Sequence, residues 1–190
     1  YTSQYTLSLH DALPIFSRAA TGKAPARWWL HNARVLAPGG EGPVQLTLRD
    51  VLARGYTGRE VRWWLVGHPY RKPLAFSWAG LESARRTLRR LDDFALRLER
   101  CPRGPDHPEL DQLLYDLRRG MTDALDDDLN VARALAALFR FLRRVGRVME
   151  RQGLPPRDRE KVREALADAG ALLGFSAPAP APAGEEAAEL

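Results

Sequence analysis

The sequence predicts a mainly α-helical chain in which a small strand-helix-helix module is followed by a four-helix bundle. Two observations carry that expectation. Beyond residue 77, four successive segments repeat apolar residues every three or four positions, and Gly and Pro breakers separate them. Between residues 44 and 69, a short apolar alternation is followed by two closely spaced Thr-led capping signatures.

Residues 1–23 read as a leader and linker foreign to the fold. The run Tyr1-Thr-Ser-Gln-Tyr-Thr-Leu-Ser-Leu-His-Asp-Ala-Leu-Pro-Ile15 resembles translated sequencing adapter, the first Met is Met121, and a signal peptide would need a cationic start. A natural N-terminal extension is the other reading. Residues 24–76 hold the module. Val44 to Leu48 is a candidate strand, bounded by the turn Gly39-Gly40-Glu41-Gly42-Pro43. Thr47 and Asp50 are spaced as a capping box that opens a short helix through Val51 and Leu52, and Gly55 can close it in a left-handed conformation. Thr57 and Glu60 repeat the spacing. They open a helix through Val61, Trp64 and Leu65 that must end before Pro69.

Residues 77–175 form the bundle. Ser77 caps a first helix whose stripe is Leu81, Ala84, Leu88, Leu91, Ala95 and Leu98, and Cys101-Pro102 with Gly104-Pro105 stops it. A second begins near Pro108 and carries Leu110, Leu114, Leu117, Met121 and Ala124. The third carries Val131, Leu135, Leu138, Leu142, Val145 and Met149 and stops near Gly153. A shorter fourth carries Val162, Ala165, Leu166, Ala169, Leu172 and Leu173. Short connections between four such helices favour a bundle. Residues 176–190, rich in Ala and Pro, read as an extended tail that packs no core.

Composition narrows the function classes. At 190 residues the chain is too short for a complete large multidomain enzyme, so any such reading is that of a piece. With 45% hydrophobic and 28% charged residues it can bury a core, which excludes a disordered chain. No stretch approaches the roughly 20 apolar residues of a spanning helix, so no membrane partner is expected. Cys101 is the only cysteine, which excludes a disulfide framework or a multi-Cys zinc site in these residues. A cytoplasmic monomer is the expectation. The charge is +5, and only Lys23, Lys72 and Lys161 among the 29 basic residues are not Arg. Arg matches phosphate geometry in a bidentate way that Lys does not.

Several segments in order carry a family likeness. Trp29-Leu-His31-Asn32 is followed by Thr47-Leu-Arg-Asp-Val-Leu52, then Glu60-Val-Arg-Trp-Trp-Leu65, then Gly67-His68-Pro-Tyr70-Arg71-Lys72-Pro-Leu-Ala-Phe76-Ser77. Met121-Thr-Asp-Ala-Leu-Asp126-Asp127-Asp128-Leu-Asn130 follows, with Ala134-Leu135 and Leu138-Phe139. Over about residues 27–175 this series resembles the part of the bacterial cysteinyl-tRNA synthetases that follows their catalytic domain. The resemblance implies a stem-contact module and a DALR-type anticodon-binding bundle. It also implies, for a full-length parent, ATP-dependent attachment of cysteine to tRNA, with ATP on a Rossmann-type domain and a zinc ion that recognises the substrate thiolate. All of that chemistry would precede residue 24, so no catalytic residue, metal ligand or cofactor site is assigned in this chain.

The departures from the family matter as much. A Lys-Met-Ser-Lys-Ser loop, whose lysines stabilise charge on ATP, lies in the family between the His-Asn segment and the Arg-Asp-Val-Leu helix. Here Val35 to Leu46 holds no Lys, and no Arg lies between Arg34 and Arg49. Phosphoryl chemistry needs preorganised cations at the developing charge. The Gly-rich run from Pro38 to Pro43 lacks the Gly-Lys pair and helix N-terminus of a phosphate cradle. The chain alone is therefore expected to be catalytically inactive.

RNA contact is what remains. The candidate residues are His68, Arg71 and Lys72 in the module, Arg85, Arg86 and Arg89 on the first bundle helix beside Arg90, and Arg140, Arg144 and Arg147 on the third, in a row with Arg133 and Arg151. The partner implied by the resemblance is tRNA, the cysteine tRNA first. The competing reading of these arginines is the solvated face of amphipathic helices. Trp28, Trp29, Trp63 and Trp64 either stack on bases or close a junction between domains, and the junction is favoured. Asp126, Asp127 and Asp128 either bind a divalent ion or cap the third helix, with Asn130 or Asp128 as the cap. Val131-Ala-Arg133 replaces the family's Thr-Pro-Glu there, so the cap lacks its N3 carboxylate. His10, His31, His68 and His107 have no metal-ligand spacing, and Cys101 reads as an incidental thiol. Two other functions stand beside the synthetase piece. One is a non-catalytic synthetase paralogue or a ligase joining cysteine to a small amine; the other is a helical protein-interaction module without an RNA role.

Overall fold

The computed structural model describes residues 18–23, 26, 30–36 and 46–176, and the chain divides into two compact units, Tyr1–Asn32 and Ala33–Leu190. In the first, residues 18–21 are helical. In the second, strand β1 (Val35–Leu36) precedes helices α1 (Leu48–Ala53) and α2 (Gly58–Val66), then strand β2 (Leu74–Ala75). Four longer helices follow: α3 (Trp78–Glu99), α4 (Glu109–Asp126), α5 (Val131–Gln152) and α6 (Pro156–Leu173). The mainly helical architecture and the four-helix run are those the apolar periodicity predicts.

The helix starts follow from short polar side chains. Thr47 Oγ1 accepts the Asp50 N–H at 3.3 Å while Asp50 Oδ2 accepts the Thr47 N–H at 2.8 Å, closing the first capping box. Thr57 and Glu60 close the second in the same way. Ser77 Oγ accepts the Gly80 N–H at 3.1 Å, and Gly55 takes φ +81° just after α1. Asn130 is the cap of α5, its Oδ1 accepting the Arg133 N–H at 3.2 Å.

Three expectations need correction. Leu48 is the first residue of α1 rather than the end of a strand over 44–48, and Leu46 and Thr47 belong to no strand; Val44 and Gln45 lie outside the described residues. The Thr47 cap wins because its box satisfies N–H groups that a short isolated strand would leave open. The strands that do form are two residues long and pair in parallel, Val35 with Leu74 and Leu36 with Ala75. On α3 the inward position is Phe94 (3% exposed), while Ala95 faces solvent. Both positions border the stripe, and a buried ring removes far more apolar area than a methyl group. On α6, Leu172 is 60% exposed; at 18 residues the helix equals α4 and is shorter than α3 and α5, which have 22 each.

The core runs from the module into the bundle without a break. Trp64 packs edge-on against Phe76 (5.4 Å), Phe76 against Trp78 (4.9 Å), and Trp63 against Phe175 beyond α6 (5.2 Å). Trp63 and Trp64 are 7% and 6% exposed, so they close a junction and offer no face to a base. Trp28 and Trp29 lie outside the described residues.

At the other end of the bundle, the α3–α4 and α5–α6 connections cross. Leu154 N–H donates to Pro102 O at 2.9 Å, and His107 N–H donates to the buried carboxylate of Asp158 at 3.3 Å. A methyl group on Gly104 would lie 2.2 Å from Gln152 O, and one on Gly153 2.4 Å from Pro102 O. Gly153 also needs φ +76°, so only glycine serves there.

Candidate nucleic-acid interface

Helix α5 decides where arginines face outward. Ala134, Ala137, Leu138, Phe141, Leu142, Val145 and Met149 bury one broad face, so a 3.6-residue period places Arg140, Arg143, Arg144, Arg147 and Arg151 on the other. All five are exposed, and none is in an ion pair among the described residues. Arg147 Nε donates only to the Arg143 carbonyl, at 3.3 Å. Arg133, at the start of the row, is drawn to Asp127 at 3.5 Å.

The row borders two clefts, one on each side of α5. Toward α3, a cleft of about 680 Å³ is walled by Arg90, Arg97 and Arg100 on one side and Arg143 and Arg147 on the other, with Asp93 and Glu150 as its acids. Toward α4, a cleft of about 350 Å³ has Arg119, Arg140 and Arg144 against Asp116 and Asp123. The expected row is therefore split: Arg147 looks into one cleft, Arg140 and Arg144 into the other. Arg97, Arg100 and Arg143 were not among the expected contacts. The signal for them was present, since Arg97 lies two turns from Arg90 and Arg143 one turn from Arg147.

The module arginines have a different fate. Arg85 Nε donates to Glu60 Oε1 at 2.7 Å and its Nη2 to Gly55 O at 2.6 Å, while the guanidinium lies over the Tyr56 ring. Burial alone would raise the Glu60 pKa; hydrogen bonds from Arg85 and Thr57 outweigh it, and the net shift is downward. Arg71 binds Asp128 through two bonds of 2.8 and 2.9 Å, and Tyr70 Oη donates to the same carboxylate at 2.7 Å. Hydrogen bonds from Arg71 and then Tyr70 hold the Asp128 pKa down to about 2. His68 Nδ1 lies 2.9 Å from Trp64 O and so carries the proton toward that carbonyl. Lys72, Arg86 and Arg89 are exposed.

The Asp126–Asp128 run serves these contacts. Asp128 takes Arg71 and Tyr70, Asp127 faces Asn130 and Arg133, and Asp128 and Leu129 adopt φ +52° and +54°. Among the described residues, no group of three or more His, Cys, Asp or Glu side chains is placed to hold a metal ion. The Cys101 thiol is buried and lies 3.5 Å from Pro102 O. No described helix is long and apolar enough to cross a membrane. The Gly-rich interval falls at residues 37–45, outside the described residues.

Comparison with known proteins bears on the same residues. The DALR domain family matches residues 121–177, which take in the last turn of α4, the acidic turn, α5 and α6. A cysteine–tRNA ligase of Chlamydia muridarum is 37% identical over 145 residues, covering 73% of this chain and 30% of its own length. Those of Chlamydia felis (33% identical over 165 residues, covering 84% of this chain and 35% of its own length) and Protochlamydia amoebophila (31% over 162 residues; 83% and 34%) are similar to it as well. The chain spans about a third of the length of these curated relatives.

Proposed function

The chain belongs to the cysteinyl-tRNA synthetase family, matching about a third of the length of its relatives, and on that premise we propose that it contributes tRNA contact rather than chemistry. The observation that carries this reading is the outer face of α5, inside the DALR match, where five exposed arginines have no carboxylate partner among the described residues. Such a row attracts phosphates and releases their counterions, so binding weakens steeply with salt. The parent reaction is the ATP-dependent attachment of cysteine to tRNA, in the cytoplasm, with the cysteine tRNA as first candidate.

ATP and zinc belong to that reading of a full-length parent only. The residues present do not fit either group. The interval Val35–Leu46 offers no lysine, and the donors for a zinc ion are not assembled among the described residues. No catalytic step is assigned to this chain. Its expected behaviour is an absence of ATP–pyrophosphate exchange with cysteine, and measurable exchange overturns that part of the proposal. The same missing lysines favour, as a second reading, a paralogue that keeps RNA binding without aminoacylation.

A gel shift of the full chain with tRNA across a salt series tests the central claim. The expected result is a shift at low salt that fades as salt rises. No shift at low salt removes RNA contact from the function of this piece.

A further inference from the structure

Three clefts of the protein are lined by arginines, and they differ in how many of those cations are already paired. Between α2 and α3, in a cleft of about 900 Å³, Arg59 pairs with Asp92 at 2.7 Å and Arg85 with Glu60 at 2.7 Å, which leaves Arg62 and Arg89. Between α4 and α5, Arg119 is drawn to Asp123 at 3.5 Å, and Asp116 shares the lining with Arg140 and Arg144. Between α3 and α5, five arginines meet two acids, and one of the five, Arg97, is held by Glu150 at 3.0 Å. Arg90, Arg100, Arg143 and Arg147 are exposed there and hold no ion pair among the described residues. The α3–α5 cleft therefore carries the largest surplus of positive charge. Its floor is apolar, built from Leu91, Phe94, Leu142 and the half-buried Phe139, and the Arg90 guanidinium lies 6.0 Å from the Phe139 centroid.

The same chain contains a segment of the opposite character. Residues 177–190, outside the described residues, hold Glu185, Glu186 and Glu189 and no basic residue. The acids are gathered behind an alternation of Ala and Pro from Ala177 to Ala183. Such a composition favours the extended polyproline form at roughly 3.1 Å per residue, a semi-rigid spacer that lets Glu185 stand up to about 25 Å from Ser176. The described chain ends beside a wall of the cleft. Phe175 O accepts from Arg59 Nε at 2.7 Å, and the same guanidinium holds Asp92 of α3. Asp93, the next residue, lines the α3–α5 cleft, which follows α3 from Arg90 to Arg100, roughly 15 Å. The spacer is thus long enough to pass around α3 and reach every arginine of the cleft. Tethered groups meet at an effective concentration on the order of millimolar, so several exposed ion pairs, each weak alone, suffice to populate a closed form.

We infer that the α3–α5 cleft docks the chain's own acidic segment, with Glu185, Glu186 and Glu189 on arginines drawn from Arg90, Arg100, Arg143 and Arg147 and with Leu190 over the apolar floor. Arg143 and Arg147 belong to the row that carries the proposed RNA contact, so the docked segment screens part of that row. This consequence, unlike the docking, rests on the RNA-contact reading above.

The test compares backbone amide NMR spectra of the full chain and of its Glu185→Gln/Glu186→Gln/Glu189→Gln variant, whose three changes lie beyond α6. At low salt, resonances of residues 90–100 and 139–150 are expected to move, and the difference is expected to fade as salt screens the exposed pairs. The Arg143→Gln/Arg147→Gln variant is expected to move the amides of residues 185–190 in return. Changes confined to the substituted segment overturn the docking. Changes centred on the α2–α3 or the α4–α5 cleft overturn the choice of cleft, and a dependence on protein concentration gives the cleft to a second copy's segment and overturns the intramolecular form. In a tRNA gel shift at low salt, the triple Gln variant is expected to bind about threefold more tightly than the parent. Equal affinities beside spectra that show docking overturn the screening alone. No tRNA binding by either chain takes down the RNA-contact reading and the screening with it, while the spectra still decide the docking.

Discussion

The joint between module and bundle and the outer face of α5 use the same residue for opposite ends. At the joint, Arg59 makes two bonds to Asp92 (2.8 and 2.7 Å) and a third to Phe175 O (2.7 Å), and Arg85 is locked to Glu60 and Gly55. The side chains of Arg59 and Arg85 are only 21% and 20% exposed. On α5, the arginines from Arg140 to Arg151 are exposed and carry no carboxylate among the described residues. Planar, five-donor guanidinium groups satisfy several acceptors at once, which makes Arg useful for joining elements. The same fork left open is a phosphate binder. The difference teaches that an arginine count says little until each one's partners are known.

Four measurements break or sharpen that comparison. The largest effect is expected at the aromatic end of the joint. Trp63→Ala removes a nearly fully buried ring that packs on Phe175 and is expected to cost about 4 kcal/mol in urea unfolding. A cost below about 1 kcal/mol would mean that the module is not part of the bundle's cooperative unit. Next, Gly153→Ala sets a methyl group against Pro102 O at an unfavourable φ, and a loss of about 3 kcal/mol is expected at the opposite end.

The third measurement compares the two arginine classes directly. Glu60→Ala removes both an N-cap partner and the acceptor of Arg85, with an expected loss of about 2 kcal/mol. Arg89→Ala, on the exposed side of α3, is expected to stay within about 0.5 kcal/mol of the parent. If Arg85→Ala lowers RNA affinity while leaving Tm unchanged, the division into structural and open arginines fails. The smallest effect concerns the exposed clasp of Arg71 and Asp128. The folded pKa of Asp128 is lowered from 3.8 to about 2, so its contribution is present above the ordinary value and lost as pH falls through the folded one. The Tm gap between parent and Asp128→Asn is expected to be small near neutrality and to close between roughly pH 4 and pH 2.

Much of the fold is legible in the residues themselves, because helix periodicity and capping are local. Thr47, Thr57 and Ser77 mark their helices through partners three residues away, each at the predicted place, and of the two candidate caps for α5 Asn130 is the one used. What is not legible is non-local. The two-residue strands owe their existence to pairing with a segment thirty-odd residues away, not to propensity. Whether Phe94 or Ala95 points inward depends on what faces α3, which a stripe of alternating threes and fours does not contain. Among the candidate contacts, the exposure of Arg140, Arg144 and Arg147 follows from periodicity alone. The engagement of Arg85 and Arg71 does not, because their acceptors Glu60 and Asp128 lie 25 and 57 residues away.

The crossing of Gly104 and Gly153 also governs where the bundle can change length. Each connection fills the space that a side chain of the other would need, so an insertion in either must displace both, and the two helical hairpins are bound along one spine. The turn at 127–130 carries no such obstruction beyond its clasp to Arg71. Added residues are therefore tolerated there first, next to the module and away from the spine.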